Sequence, residues 1–129
     1  MPSGLPSVTG DVLTAANYNS LVAFTLNAQT GTTYTSVIAD SYQVLVTMSN
    51  ASANTFKIPT NATVAHPVGT VITVLNKGAG VCTISAVSSG TTTVLSAGAT
   101  AASPTLAQYK SAACIQISTD VWYVVGAIA

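Results

Sequence analysis

The stretch Ser49 to Ser85, SNASANTFKIPTNATVAHPVGTVITVLNKGAGVCTIS, decides how this chain is read. It contains three short strands, each closed by a turn signal. Asn54 to Ile58 is rich in strand formers and stops at Pro59. Thr70 to Asn76 is dominated by β-branched residues, launched by Pro67-Val68-Gly69 and closed by Asn76-Lys77-Gly78-Ala79-Gly80. Val81 to Ser85 then alternates again. Proline and glycine stand where the backbone must turn and β-branched residues where it must extend, so the segment is built to hold a shape. Gly78-Ala79-Gly80 is read as a hairpin turn, because no third glycine or helix follows it as a dinucleotide site requires.

Working outward toward the N-terminus, Tyr34 to Ile38 and Gln43 to Met48 read as strands around Asp40-Ser41, where the aspartate bonds nearby backbone amides and sets the turn. Asn27 to Thr33 reads as loop. Before it, Thr14 offers an N-cap oxygen, and Tyr18, Leu21, Val22 and Leu26 fall at helical spacing, so one helix is expected over Ala15 to about Leu26. Met1 to Gly10 reads as an extended arm. Leu13, Tyr18, Leu21, Val22 and Leu26 are the candidate assembly contacts, the plainer reading being a helix that covers one end of a β core. Toward the C-terminus, Thr91 to Leu95 is a short strand within a stretch poor in large side chains. Tyr109 to Ser118 and Val121 to Ala127 then pair across Ser118-Thr119-Asp120, with Trp122 as the largest anchor. The expected fold is all-β: an antiparallel β-sandwich or barrel of seven to eight short strands over 34–129, preceded by an arm and helix over 1–33.

Composition narrows the function. Of 129 residues only three are Lys or Arg and three Asp or Glu, and the formal net charge is zero. Globular domains carry about a quarter charged residues. A surface kept wet by Ser, Thr, Asn and Gln alone does little to keep copies apart, which favours a chain packed against copies of itself or other partners. No nucleic-acid partner is expected, because phosphate neutralisation needs clustered Lys or Arg and the sequence has no such cluster. No apolar run approaches the length of a membrane span, and Met1-Pro2-Ser3-Gly4-Leu5-Pro6 lacks the basic start and apolar core of a secretory leader.

Catalytic candidates are few. His66 is the single histidine, so a Ser or Cys triad must pass through it; the competing reading is a surface or subunit-interface histidine. One histidine with Cys82 and Cys114 gives no zinc pattern, and no cofactor or metal is expected. Cys114 lies opposite the Ile115 and Ile117 face, so if the isoleucines enter the core the two thiols point apart and stay free. Asn50-Ala51-Ser52 and Asn61-Ala62-Thr63 read as polar turns. Tyr18, Tyr34, Tyr42, Tyr109, Trp122 and Tyr123 form a sugar-stacking platform only if several converge on one face.

Tyr34-Thr35, Ala39-Asp40, Met48 to Thr55, Ile58-Pro59, Pro67-Val68-Gly69-Thr70, Asn76 to Gly80, Gln108-Tyr109 and Thr119-Asp120 before Trp122 and Gly126 together resemble a β-rich module of tailed-bacteriophage virion proteins. The opening Thr9 to Asn17 is similar to starts of phage structural proteins. The sequence departs from the module's usual pattern at His66 and after Gly126. The resemblance implies a non-enzymatic structural role in the virion, assembled in the host bacterial cytoplasm. It implies a homo-oligomer, first a trimer, set against the major capsid protein or other virion proteins. A head-surface decoration protein is the first expectation, a tail or tail-fibre component the second, and a carbohydrate or host-receptor adhesin module the third.

Overall fold

The computed structural model describes residues 14–16, 19, 23–96 and 103–129. Ten strands occur among them: β1 (Thr25–Gln29), β2 (Thr33–Thr35), β3 (Val44–Met48), β4 (Asn54–Ile58), β5 (Val71–Asn76), β6 (Cys82–Ala86), β7 (Thr93–Ser96), β8 (Thr105–Leu106), β9 (Ser111–Ser118) and β10 (Val121–Gly126). A 3₁₀ turn covers Ile38–Ser41. The all-β expectation holds, and the three strands of the central stretch lie where alternation places them.

The strands form two sheets, a six-stranded one in the order β1-β3-β5-β9-β10-β7 and a four-stranded one in the order β2-β4-β6-β8. Up to β9 each strand lies in the sheet opposite its predecessor. The chain therefore coils, and β1, β3 and β5 run parallel in one sheet while β2, β4 and β6 run parallel in the other. This corrects the antiparallel expectation: five of the eight strand pairings are parallel, and β9–β10 is the one pair of consecutive strands that meets in a single sheet. The core between the sheets is built from every second residue, with Val46, Met48, Phe56, Ile58, Ile72, Val74, Ile84, Trp122 and Val124 all buried.

The short turns are corners that change sheets. Gly78-Ala79-Gly80 links β5 to β6 in the opposite sheet, so the hairpin reading is corrected. Its backbone lies directly on the preceding corner: Lys77 N donates to Met48 O at 2.7 Å and Gly80 N to Asn50 O at 2.9 Å. Asn50 holds that lower corner, accepting from Ser52 N at 2.8 Å and donating to Thr30 O at 2.8 Å. Asn76, fully buried, ties the stack inward by donating to Gly80 O and Leu106 O, each at 2.9 Å.

Two boundaries move. Ala15, Ala16 and Asn19 are helical, but Thr25 and Leu26 belong to β1, so the expected helix stops earlier and the expected loop from Asn27 is largely strand. The sheets accordingly begin at Thr25 rather than at Tyr34. Leu13, Tyr18, Leu21 and Val22, with the arm Met1 to Gly10, lie outside the described residues.

Candidate docking face and the polar cluster at His66

The two sheets turn very different faces outward. No strand of the six-stranded sheet carries a charged side chain. On its outer side one in-register row runs Leu26, Leu45, Thr73, Ala113, Val125 across five strands, and a second runs Val71, Ile115, Tyr123, Leu95 across four. Four of the nine are exposed, Leu26 at 68 %, Val125 at 45 %, Val71 at 43 % and Tyr123 at 40 %, and the other five are half-buried. A depression of about 340 Å³ lies where β7 meets β10, lined by Leu95, Ser96, Tyr123, Val124 and Val125.

The four-stranded sheet does the opposite. Thr33, Thr55, Thr83 and Thr105 stand in one register row on its outer side, followed by Thr35, Lys57 and Ser85 in the next. Threonine suits a strand sterically and keeps a hydroxyl in water, so this face needs no cover. A strand that is apolar on both sides, such as Val71 to Leu75, is normally covered on both sides. The unusual surface is therefore the aliphatic one.

Of the five candidate assembly residues, Leu26 alone is described, and it opens the first row of the apolar face from β1 instead of extending a helix. Leu45, Val71, Ile115, Tyr123 and Val125 were missed. The signal for Val71, Tyr123 and Val125 is the near-continuous apolar character of Val71 to Leu75 and Val121 to Val125, which alternation alone reads as one buried face.

His66 is not at the surface. It is 4 % exposed in the loop before β5, between two hydroxyls: Ser36 Oγ lies 3.0 Å from Nε2 and Ser41 Oγ 2.5 Å from Nδ1. A neutral ring has one N–H, so it donates to one serine and accepts from the other. Its ring stands nearly perpendicular to that of Trp122 at a 5.5 Å centroid distance. Burial lowers its pKa below 6.5, partly opposed by the charge of Asp40. No carboxylate bonds the ring to orient it. Asp40 instead accepts from Tyr34 Oη at 2.6 Å, Asn27 Nδ2 at 3.0 Å and Val37 N at 3.0 Å. Burial and that bond push the Tyr34 phenol up to about 12. The arrangement braces the 3₁₀ turn against the loop, and the aspartate sets the turn as its position in the sequence implies.

This bracing has a pH signature. Unfolded, His66 takes a proton as pH falls through about 6.5; folded, it resists until lower pH. The unfolded state then binds more protons, so stability falls as pH drops below that value. The melting temperature is expected to be lower at pH 5 than at pH 7.5, and H66Q is expected to flatten the slope between them. An equal slope in H66Q would assign it to other groups.

The remaining candidates resolve simply. Cys82 and Cys114 are free, and both are buried in the core. β9 turns Ala112, Cys114 and Gln116 inward and leaves Ile117 outside, which corrects both the expected core face of that strand and the expectation that the two thiols point apart. Burial raises the Cys82 thiol to about 11 and the Cys114 thiol to about 12. Among the described residues no group of His, Cys, Asp or Glu is placed to hold a metal, and no helix is long and apolar enough to cross a membrane. Trp122 is buried and Tyr34 packs on Phe56 at 6.0 Å; the exposed tyrosines among the described residues are Tyr42 after the 3₁₀ turn, Tyr109 in the turn before β9 and Tyr123 on β10. No protein-family model, curated protein or solved structure matches the chain.

Proposed function

We propose that this chain is a non-enzymatic structural protein of a tailed-phage particle, a homo-oligomeric decoration subunit on the outside of the head. The observation that carries this reading is the uncharged aliphatic face of the six-stranded sheet, opposed by a hydroxyl-covered face on the other sheet. A subunit fixed to a shell has one side to bury and one to leave in water, and this division of surface matches that need. In this role the β-sandwich adds buried area to the shell, which stabilises the particle by mass action. The phage assignment itself rests on the resemblance, whose motifs fall largely on the corners and turns that stack the coils. Residues ahead of β1 serve in this reading as the anchor to the capsid lattice.

The test is made on purified particles. The chain is expected to co-purify with heads in many copies per particle, and particles lacking it are expected to lose heat resistance that added protein restores. A deletion that removes the anchor has to stop at Phe24, because Thr25 N donates to Gln43 O at 2.8 Å and starts the first strand. That variant is expected to stay folded and to lose attachment. Absence of the chain from purified particles would sink the virion reading, and its presence on tails alone would move it to the tail component.

A further inference from the structure

From the register and charge of the six-stranded sheet we infer that its outer face docks a second copy of this chain, which names a partner for the surface that the proposed function buries. The inference rests on that reading only in assuming that this face is the one covered.

Charge selects the occupant. A partner surface of ordinary composition brings charged residues, about a quarter of the total, and each one buried here loses its water against a face that has no charged side chain to pair with it. The same face of another copy brings none. With a net charge of zero, two copies approach without long-range repulsion. Steric character agrees. The two rows are in register and mostly Leu, Val, Ile, Ala and Tyr, which interdigitate when sheets pack face to face at about 10 Å. The depression beside Tyr123 offers a socket for a protruding side chain of the second copy.

Area sets the strength. Six strands spaced about 4.8 Å apart and about 17 Å long give a flat footprint of roughly 400 Å². Standard interfaces take about 800 Å² from each partner. The face alone therefore supports weak, concentration-dependent association rather than a permanent assembly.

The experiment measures solution mass against concentration for the full chain and for two variants. V71K/V125K puts two cations into the apolar rows at exposed positions, where the fold tolerates them. T55K places a single cation on the threonine face as the control. The wild type and T55K are expected to rise with concentration from the 12.9 kDa monomer to a whole multiple of it, and V71K/V125K is expected to remain monomeric at concentrations at least tenfold higher, with an unchanged circular dichroism spectrum. Oligomers that persist in V71K/V125K would overturn the inference. A monomeric wild type would also overturn it, and particle binding then separates the cases. If that monomer attaches to heads and V71K/V125K does not, the face docks another virion protein and the proposed function stands. If neither attaches, both readings fail.

Discussion

Replacing Gly80 with alanine is expected to destabilise the protein by about 3 kcal/mol or more, the upper range for forcing extra volume into a packed interior. A Cβ at this position runs into the carbonyl of Ser52 and comes within 2.9 Å of Asn50 O. Neither obstacle is a side chain that can swing aside. Both belong to the backbone of the corner below, which is itself held by Gly80 N donating to Asn50 O. Relief requires one coil to lift from the next, and that strains the parallel pairing of β4 with β6 along five register positions. For a chain of this length the loss corresponds to a fall in melting temperature on the order of 10 °C. G31A is the control, since its nearest neighbour lies at 3.9 Å, and it is expected to cost far less. Equal melting temperatures for G80A and wild type would show that the corners do not stack as described.

Removing the Asn76 amide is expected to cost nearly as much. Its nitrogen satisfies two carbonyls, Gly80 O and Leu106 O, and its oxygen accepts from Gly78 N at 3.2 Å. Truncation in N76A leaves three buried backbone groups without that partner, at about 1 to 3 kcal/mol for a buried group left unsatisfied. The isosteric change N76D gives a sharper measurement. It keeps the acceptor for Gly78 N but sets a carboxylate against two carbonyl oxygens, so burial and repulsion raise its pKa above the usual carboxylate range. The folded variant then binds a proton that the unfolded chain releases near neutral pH, and its stability recovers as pH falls. Denaturant titrations are expected to show N76D gaining stability relative to wild type between pH 7 and pH 5. A constant difference over that range would mean that the side chain at 76 does not face the two carbonyls.

Both predictions concern corners, and corners are where reading the sequence succeeded in position and failed in meaning. Gly78-Ala79-Gly80 was identified as a turn between two strands, which it is. Its partners were not identifiable, because the glycines are required by the approach of Asn50 and Ser52, residues of another coil. Asp40 was legible as a turn-setting residue since its bond to Val37 N is local. Its bonds to Tyr34 and Asn27 needed the fold. His66 looked like a surface residue beside a proline, and only the approach of the 3₁₀ turn, bringing Ser36 and Ser41, gave a buried imidazole two hydroxyl partners. The isoleucines of β9 misled for a different reason. If Ile115 and Ile117 entered the core Cys114 would face outward, yet β9 turns Ala112, Cys114 and Gln116 inward beside Trp122 and Val124 of β10, and the isoleucines fall on the outer face.

Local residue pattern is enough to show that this chain is a β protein with short strands, where most of those strands lie, which residues break them, and that almost no charge is available to its surface. These properties follow from steric preference and hydrophobic alternation, which act within a few residues. The folded chain adds that successive strands up to β9 alternate between the two sheets instead of pairing side by side, that most pairings are parallel, and that among the described residues one sheet turns a largely aliphatic, partly exposed face outward. Alternation is the same whether a turn makes a hairpin or a corner, and the backbone groups that choose the partner strand are common to all residues except proline. The choice therefore belongs to the stacking of distant corners, which local sequence does not encode.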